Sequence, residues 1–437
     1  MNLSSLTHSA IARSRKIASK LSASVADQAL LSVGNLAMSV VLARETSLSA
    51  FGAFGLVFAF YLLAIGCQRA FIGEALLIRN ESSGGQNSRE EAKAVLGLSL
   101  AGSAFVTALS LFVGGVADGY VRIAFISFGL ILPAVLMQDT ARYLFFSSGR
   151  TSSVLKADIL LLTLQFSGYA VLVLVGEARL ELLILWWGVS ALVSLIAQLT
   201  TLKAVPTIRI AAGWARSHRD LSPRFLGEYL TLAGLQQGTV FLIGAIAGLS
   251  DVGNYRAAQV VLGPLNIVTM GAAVVVLPYA AQLARKNLPA LPRFAASVSA
   301  VMAAVATMAV ACVFLIPDSL GDWLLGESWQ GGSALVPLVG LALIANNLSY
   351  GATSGLRGME FASRSLRARL FMAPVTVFAV VVGSWSGGVV GALIGLAIGA
   401  FFQTGIWWWL FVASHRDRSG NSDGPEVDIS TGQRGIQ

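Results

Sequence analysis

The chain has 437 residues, of which 55% are hydrophobic and only 12% charged, with a mean hydropathy of +0.73. A soluble globule covers its surface with about 25% charged residues, so most of this exterior faces hydrocarbon. That excludes a cytosolic enzyme, a secreted domain and a disordered chain.

In chain order, residues 1–23 carry Arg13, Arg15, Lys16 and Lys20 between Leu6, Ala10, Ile17 and Leu21 at near-helical spacing. They are expected to form an amphipathic segment on the cytoplasmic leaflet, not a cleavable signal peptide. Twelve apolar stretches follow, each near the roughly 20 residues that cross a bilayer as a helix. The first six are 24–44, 51–77, 94–117, 122–146, 157–176 and 181–202. The last six are 227–249, 256–283, 295–316, 333–354, 368–386 and 389–413. The apolar runs are continuous and do not alternate, which argues for helices and against a β-barrel. Between the sixes lies a basic segment, 203–226, with Pro206 and Pro223. The tail, 414–437, is rich in Ser, Gly and Asp and reads as disordered and cytoplasmic.

Charge placement sets orientation. The net charge is +8. With the N-terminus inside, most basic residues fall in cytoplasmic segments, among them Arg79, Arg89, Lys203, Arg216, Arg285 and Arg364. Outer loops hold mainly acids such as Glu45, Asp118, Glu177 and Asp251. The positive-inside rule therefore places both termini in the cytoplasm. The same rule accounts for the basic balance without nucleic acid. Cys67 and Cys312 lie in apolar runs and read as small hydrophobes, not a disulfide.

A shift of 201 residues overlays part of the chain on itself. Ser49-Ala50-Phe51-Gly52-Ala53-Phe54 falls on Ser250-Asp251-Val252-Gly253-Asn254-Tyr255, Leu48 on Leu249, Asn35 on Gln236 and Asp27 on Glu228. Six spans per repeat give halves of the same orientation, related by an axis along the membrane normal. The expected organisation is an N-lobe at 24–202, the linker at 203–226 and a C-lobe at 227–413, with a cavity between lobes.

Ionisable groups inside a membrane face protein or water. Arg69 lies deep in its span with no acid one turn away in sequence. Asp139 and Arg142 share a helix face at i,i+3. Arg256 lies nearer the outer side. The adjacent polar pairs Gln236-Gln237 and Asn346-Asn347 add hydrogen-bonding groups at depth. These eight residues are the candidate substrate contacts. The arginines suit an anion, because a planar guanidinium donates two hydrogen bonds at once to a phosphate. Pro264, in Gly263-Pro264-Leu265-Asn266, is the candidate hinge. Gly387, Gly391, Gly395 and Gly399 at i,i+4 spacing predict a close helix–helix seam. No catalytic residues and no metal ligands are identified: His8, His218 and His415 are scattered, and no phosphate-cradling loop exists.

Several local sequences resemble the polysaccharide-exporter branch of the multidrug/oligosaccharidyl-lipid/polysaccharide (MOP) flippase superfamily. They are Asp27-Gln28-Ala29-Leu30 leading to Val41-Leu42-Ala43-Arg44, Gln68-Arg69-Ala70, Gln138-Asp139 with Arg142-Tyr143, and Gly253-Asn254-Tyr255-Arg256-Ala257 leading to Gly263-Pro264-Leu265 and Leu277-Pro278. The resemblance covers about residues 20–413. It implies an all-α integral membrane fold of about 12 transmembrane helices in two pseudo-symmetric six-helix lobes. It further implies a bacterial inner-membrane flippase that moves undecaprenyl-diphosphate-linked oligosaccharide by alternating access, for O-antigen, exopolysaccharide or capsule. Implied partners are the lipid-linked oligosaccharide, membrane lipids, a polymerase and glycosyltransferases. No cofactor is implied; the membrane potential, worth about 2.3 kcal/mol per charge per 100 mV, or a coupled Na⁺ or H⁺, would drive transport. The alternatives are a drug/cation antiporter, which calls for deep acids over arginines, and a non-transporting scaffold of a polysaccharide assembly complex.

Overall fold

The computed structural model describes residues 30–82 and 88–422, and these are almost entirely helical with no strand among them. The N-terminal half opens with α1 (30–45) and α2 (Leu48–Gln68). A π-helical stretch, Arg69–Glu74, carries α2 on into α3 (Ala75–Ser82). Then come α4 (Arg89–Val116), α5 (Gly119–Ser147), α6 (Thr151–Leu174) and α7 (Leu180–Leu202). The start signals are local. Ser47 accepts from the Ala50 N–H and Ser88 from the Glu91 N–H, each satisfying a donor that the first helical turn leaves free.

α5 is the hub of this half and packs on α2, α4 and α7. Tyr61, Phe128 and Trp187 stack at its centre, with ring centroids 5.0–5.9 Å apart. Large apolar side chains on the opposite faces stay exposed, Phe105 and Phe112 of α4 among them. In water that pattern would be a liability; against acyl chains it is the expected exterior.

The segment expected as a linker contains α8 (Ile208–Ser217), docked on α4. Ala211 and Trp214 are buried against the N-terminal half, while Arg209 and Arg216 remain exposed. Thr207 N–H donates to the Lys93 carbonyl at 3.0 Å, and Arg89 Nε donates to the Lys203 carbonyl at 2.6 Å.

The C-terminal half contains α9 (Ser222–Ile246), α10 (Leu249–Val261), α11 (Pro264–Lys286), α12 (Leu291–Val313), α13 (Asp318–Leu325), α14 (Ser328–Leu348), α15 (Tyr350–Gly358) and α16 (Ala362–Ser422). α14 is its hub, against α10, α12 and α16. α16 leaves helical geometry at Gly387 and Gly388, the latter at φ 56°, where an L side chain would be strained. The two arms fold back on each other in antiparallel register. Gly391 meets the Gly383 backbone, Gly395 the Ala379 carbonyl, and Gly399 lies on Thr376. Three of the four seam glycines therefore pack as the spacing predicts, and Gly387 belongs to the turn instead, with nothing against it.

Nine helices are long and apolar enough to span a membrane, and the bent pair within α9 makes ten among the described residues. The reversal in α16 turns its one long helix into two passes, and α1 is the described part of the first expected stretch. The chain is a multi-pass membrane protein. Pro264 does not kink a helix from within: it occupies the first turn of α11, where the missing N–H has no partner to lose. α16 remains helical through Ser422, past 414, where disorder is expected from composition. Arg364 pairs with Asp417 at 2.6 Å and Arg418 Nη1 donates to the Met359 carbonyl at 2.6 Å, and these tie it down. The predicted amphipathic segment at 1–23, Asp27 and residues 423–437 lie outside the described residues.

The halves meet along α2, which packs on α9 and α10. At one end the contact is reciprocal. A Cβ on Gly52 would strike the Leu249 carbonyl, and a Cβ on Gly253 would strike the Leu48 carbonyl. Ser49 Oγ and Ser250 Oγ are 3.1 Å apart. Each of these partners is related to the other by the 201-residue repeat. The contact is thus self-complementary, as a two-fold axis requires, and the duplication read in sequence is a pseudo-symmetric pair of lobes in space.

Candidate functional site

The deepest polar cluster lies where α2 passes into its π-helical stretch. A π turn inserts an extra residue and shifts the side chains that follow it, and such turns concentrate at functional sites. Here it starts at Arg69. The Arg69 guanidinium forks onto Asp139 of α5, with Nε to Oδ2 at 2.8 Å and Nη2 to Oδ1 at 2.7 Å. Arg142, one turn along α5, donates from Nη1 to the same Asp139 Oδ1 at 2.8 Å. Its Nε donates to Asp158 Oδ2 of α6 at 3.0 Å. Gln138 reaches Asp158 Oδ1 at 3.3 Å. Two arginines and two aspartates therefore close a formally neutral chain across three helices.

A second hydrogen-bond set braces it. Gln68 Nε2 donates to the Leu136 carbonyl at 2.6 Å and to Thr140 Oγ1 at 2.8 Å. Thr140 donates to Ser99 Oγ at 3.0 Å, and Ser99 donates to Gln68 Oε1 at 3.2 Å. Every polar group in this ring has a partner, which is the condition under which a buried network fixes one geometry. Asp139, Arg142 and Asp158 are almost fully buried, whereas the Arg69 side chain keeps 31% of its surface. Arg69 is the member of the chain that reaches the inter-lobe face.

That face is closed around it. Tyr229 of α9 sits on Gly66, where no Cβ would fit, and its hydroxyl donates to the Leu62 carbonyl at 2.7 Å. α9 bends by 48° between Thr231 and Gln236. Gln236 and Gln237 open the second half of that bend, Gln236 exposed and Gln237 buried.

Arg256 lies apart from the cluster, in the α2–α10 seam. Its guanidinium stacks 4.4 Å from the Phe58 ring centroid and Nη1 donates to Gln259 Oε1 at 3.1 Å. Its Nε is buried without a partner, and among the described residues it makes no ion pair. Asn346 lines a cavity in the C-terminal half. Its neighbour Asn347 is buried and donates to the Leu343 carbonyl at 2.9 Å.

The structure thus joins Arg69, Asp139 and Arg142, and separates Arg256, Gln236, Gln237, Asn346 and Asn347 from them. Arg142 does not line a passage: it is 4% exposed, and the acids it pairs with, Asp139 and Asp158, are buried. Asp158 was not among the sequence candidates. Its signal is an acid two residues inside the apolar run 157–176, which beside Lys156 cannot be told in sequence from an interfacial charge. Among the described residues no cluster of acids, histidines or cysteines could hold a metal ion.

The fold is that of the MOP transporters. It resembles an inward-facing multidrug-resistance MATE family transporter with a TM-score of 0.70 at 14% identity, over 89% of this chain and 95% of the other. An outward-facing MATE transporter gives 0.58 at 14% identity, over 91% and 94%. The lipid II flippase MurJ, in an inward closed conformation, gives 0.64 at 10% identity, over 92% and 93%. No protein-family model matches the sequence, and no curated protein is significantly similar to it.

Proposed function

We propose that the protein is a flippase for undecaprenyl-diphosphate-linked oligosaccharide, working by alternating access between its two lobes. One observation carries the choice of an anionic substrate over a cation. The two buried carboxylates, Asp139 and Asp158, are both committed to arginines, while Arg256 keeps its charge at the lobe seam without an acid. A cation antiporter needs an acid free to bind its cargo. The buried spare charge between the lobes is the positive Arg256, whereas Glu74 and Glu228, acids that face each other from the two halves, are exposed; a guanidinium fork suits a diphosphate. The likeness to a lipid II flippase supports the same reading. Arg256 would meet the headgroup, and Asp139 and Arg142 would hold Arg69, which keeps α2 on α5. Residence in a bacterial inner membrane with both termini cytoplasmic, and work beside a polymerase and glycosyltransferases, belong to the same proposal.

The test is complementation. A strain lacking the chain should lose surface polysaccharide and accumulate lipid-linked oligosaccharide in the inner leaflet, and the intact gene should reverse both. Arg256→Gln, at normal protein level, should fail to reverse them. Full export with Arg256→Gln would remove Arg256 from the substrate path, and chain-dependent efflux of a cationic dye with no effect on glycan would replace this reading by the antiporter.

A further inference from the structure

The C-terminal half holds a second polar site for which the N-terminal ion cluster gives no account. α9, α14, α15 and both arms of α16 form a half-open cavity of about 220 Å³, lined among others by Asn346, Ser349, Thr353, Arg369, Gln403 and Trp407. The Arg369 guanidinium lies over the Trp407 ring, 5.1 Å from its centroid. No carboxylate lines the cavity, and among the described residues Arg369 makes no ion pair. The charged groups it senses are Arg357 and Glu228.

The neighbouring donors are already engaged. Ser349 Oγ donates to the Asn346 carbonyl at 2.8 Å, Thr353 Oγ1 to the Tyr350 carbonyl at 3.0 Å, and Gln403 Nε2 to Thr376 Oγ1 at 2.8 Å. What faces the cavity with donors to spare is the Arg369 fork, the Asn346 amide and the second N–H of Gln403 Nε2. A guanidinium at the membrane boundary with no carboxylate in ion-pair range carries a desolvation cost that Glu228, acting from a distance, offsets only in part. The Arg69 cluster avoids that cost by pairing two arginines with two aspartates; this pocket does not. The cavity is small beside sites for drug-sized ligands, which run to about 300–1,000 Å³, and it is half open, so it grips one small group and leaves the rest of a larger ligand outside.

We infer that this cavity seats a phosphate of a lipid-linked headgroup, so that the C-terminal half, through Arg369, reads the anion while the neutral N-terminal cluster does not. The inference rests on the flippase reading above and adds the position of anion recognition to it.

The experiment uses the purified full-length chain in detergent and farnesyl diphosphate as probe. Saturable binding is expected. Arg369→Gln should weaken it at least tenfold, and Arg369→Lys, a point charge without the fork, should recover only part of the loss. Arg224→Gln, at an exposed charge in the first turn of α9, should leave binding unchanged. Inorganic pyrophosphate that binds as tightly as the probe would assign the pocket to a soluble anion, and displacement of the probe by equimolar phosphatidylglycerol would assign it to bulk lipid; either result overturns the inference. Equal binding by the parent and Arg369→Gln overturns it as well. Should Arg369→Gln not purify in folded form, Asn346→Leu and Gln403→Leu keep the charge and alter only the walls. Each should weaken the probe, and unchanged binding by both refutes the site. Polysaccharide export is read separately. Arg369-dependent probe binding by a chain that does not restore export to the deletion strain leaves the pocket standing and removes the flippase reading; restored export without Arg369-dependent probe binding does the reverse.

Discussion

Asp139→Asn is the sharpest perturbation of the N-terminal cluster, because one carboxylate there serves two cations. Asp139 accepts three charge-assisted hydrogen bonds, two from Arg69 at 2.8 and 2.7 Å and one from Arg142 at 2.8 Å. An amide keeps one acceptor oxygen and turns its NH₂ toward a guanidinium. The cluster changes from neutral to one net positive charge, in a site where Asp139 and Arg142 have almost no solvent contact. Removing one partner of a buried pair costs about 3–5 kcal/mol. Asp139 sits at the upper end of that range by hydrogen-bond count, and the partial exposure of Arg69 pulls it back toward the middle. The measurement is the unfolding free energy in mild detergent for Asp139→Asn, Arg69→Gln and the double variant. The double variant leaves the Arg142–Asp158 pair intact and removes the stranded Arg69 charge, so it should be more stable than Asp139→Asn alone, with a coupling of about 2 kcal/mol between the two sites. A cost for Asp139→Asn below about 1 kcal/mol, the range of exposed ion pairs, would refute the reasoning. So would strict additivity of the two substitutions.

Other parts of the fold give equally direct outcomes. Ser49→Cys with Ser250→Cys should form an intramolecular disulfide under mild oxidation, read as a mobility shift reversed by reductant, and the bridged protein should stop exporting glycan until it is reduced. Gly52→Leu places a side chain on the Leu249 carbonyl; that bridge should then form at least tenfold more slowly, because the lobes no longer close at that end. Gly391→Leu drives the two arms of α16 apart at Gly383, and a loss of about 2–3 kcal/mol of stability is expected from an overpacked backbone contact. Trp214→Ala empties the site where α8 docks on the N-terminal half. The expected loss is about 3 kcal/mol, seen as rapid proteolysis between 203 and 222 in a protein whose helices otherwise resist cleavage.

Membrane residence, the helical repeat and its offset were legible because hydrocarbon imposes a one-dimensional code: length and apolarity decide each span, and charge decides each loop. The α16 seam was legible for the same reason, since glycines four apart must share a face. The site was only half legible. Arg69 stood out as a deep charge, but its partner lies 70 residues away on another helix, and pairing between helices leaves no local spacing to read. From the sequence, two arginines therefore suggested a cationic interior, where the folded cluster of Arg69, Asp139, Arg142 and Asp158 is neutral. Arg369 failed in the opposite direction. It falls among Arg364 and Arg367 at a cytoplasmic helix start, where the positive-inside rule explains a basic residue completely, and only the fold separates it from those neighbours by turning it over Trp407.

α2 connects these observations physically. It is one helix of 21 residues from Leu48 to Gln68, about 30 Å long at 1.5 Å per residue. Its first turns form the reciprocal contact with α10, its middle carries Phe58 under Arg256, and its end places Gln68 and Arg69 on α5. If the lobes part at Gly52 and Gly253, α2 stays with the N-terminal half, because Gln68 and Arg69 hold it to α5 by four hydrogen bonds. Arg256 then leaves Phe58 with α10 and meets whatever fills the gap. The neutral cluster so acts as an anchor for the moving surface, and the uncompensated arginines of the other half are the charges that opening would present. An anchor must not exchange its partners for a passing anion, and a pair of arginines already saturated by aspartate meets that requirement.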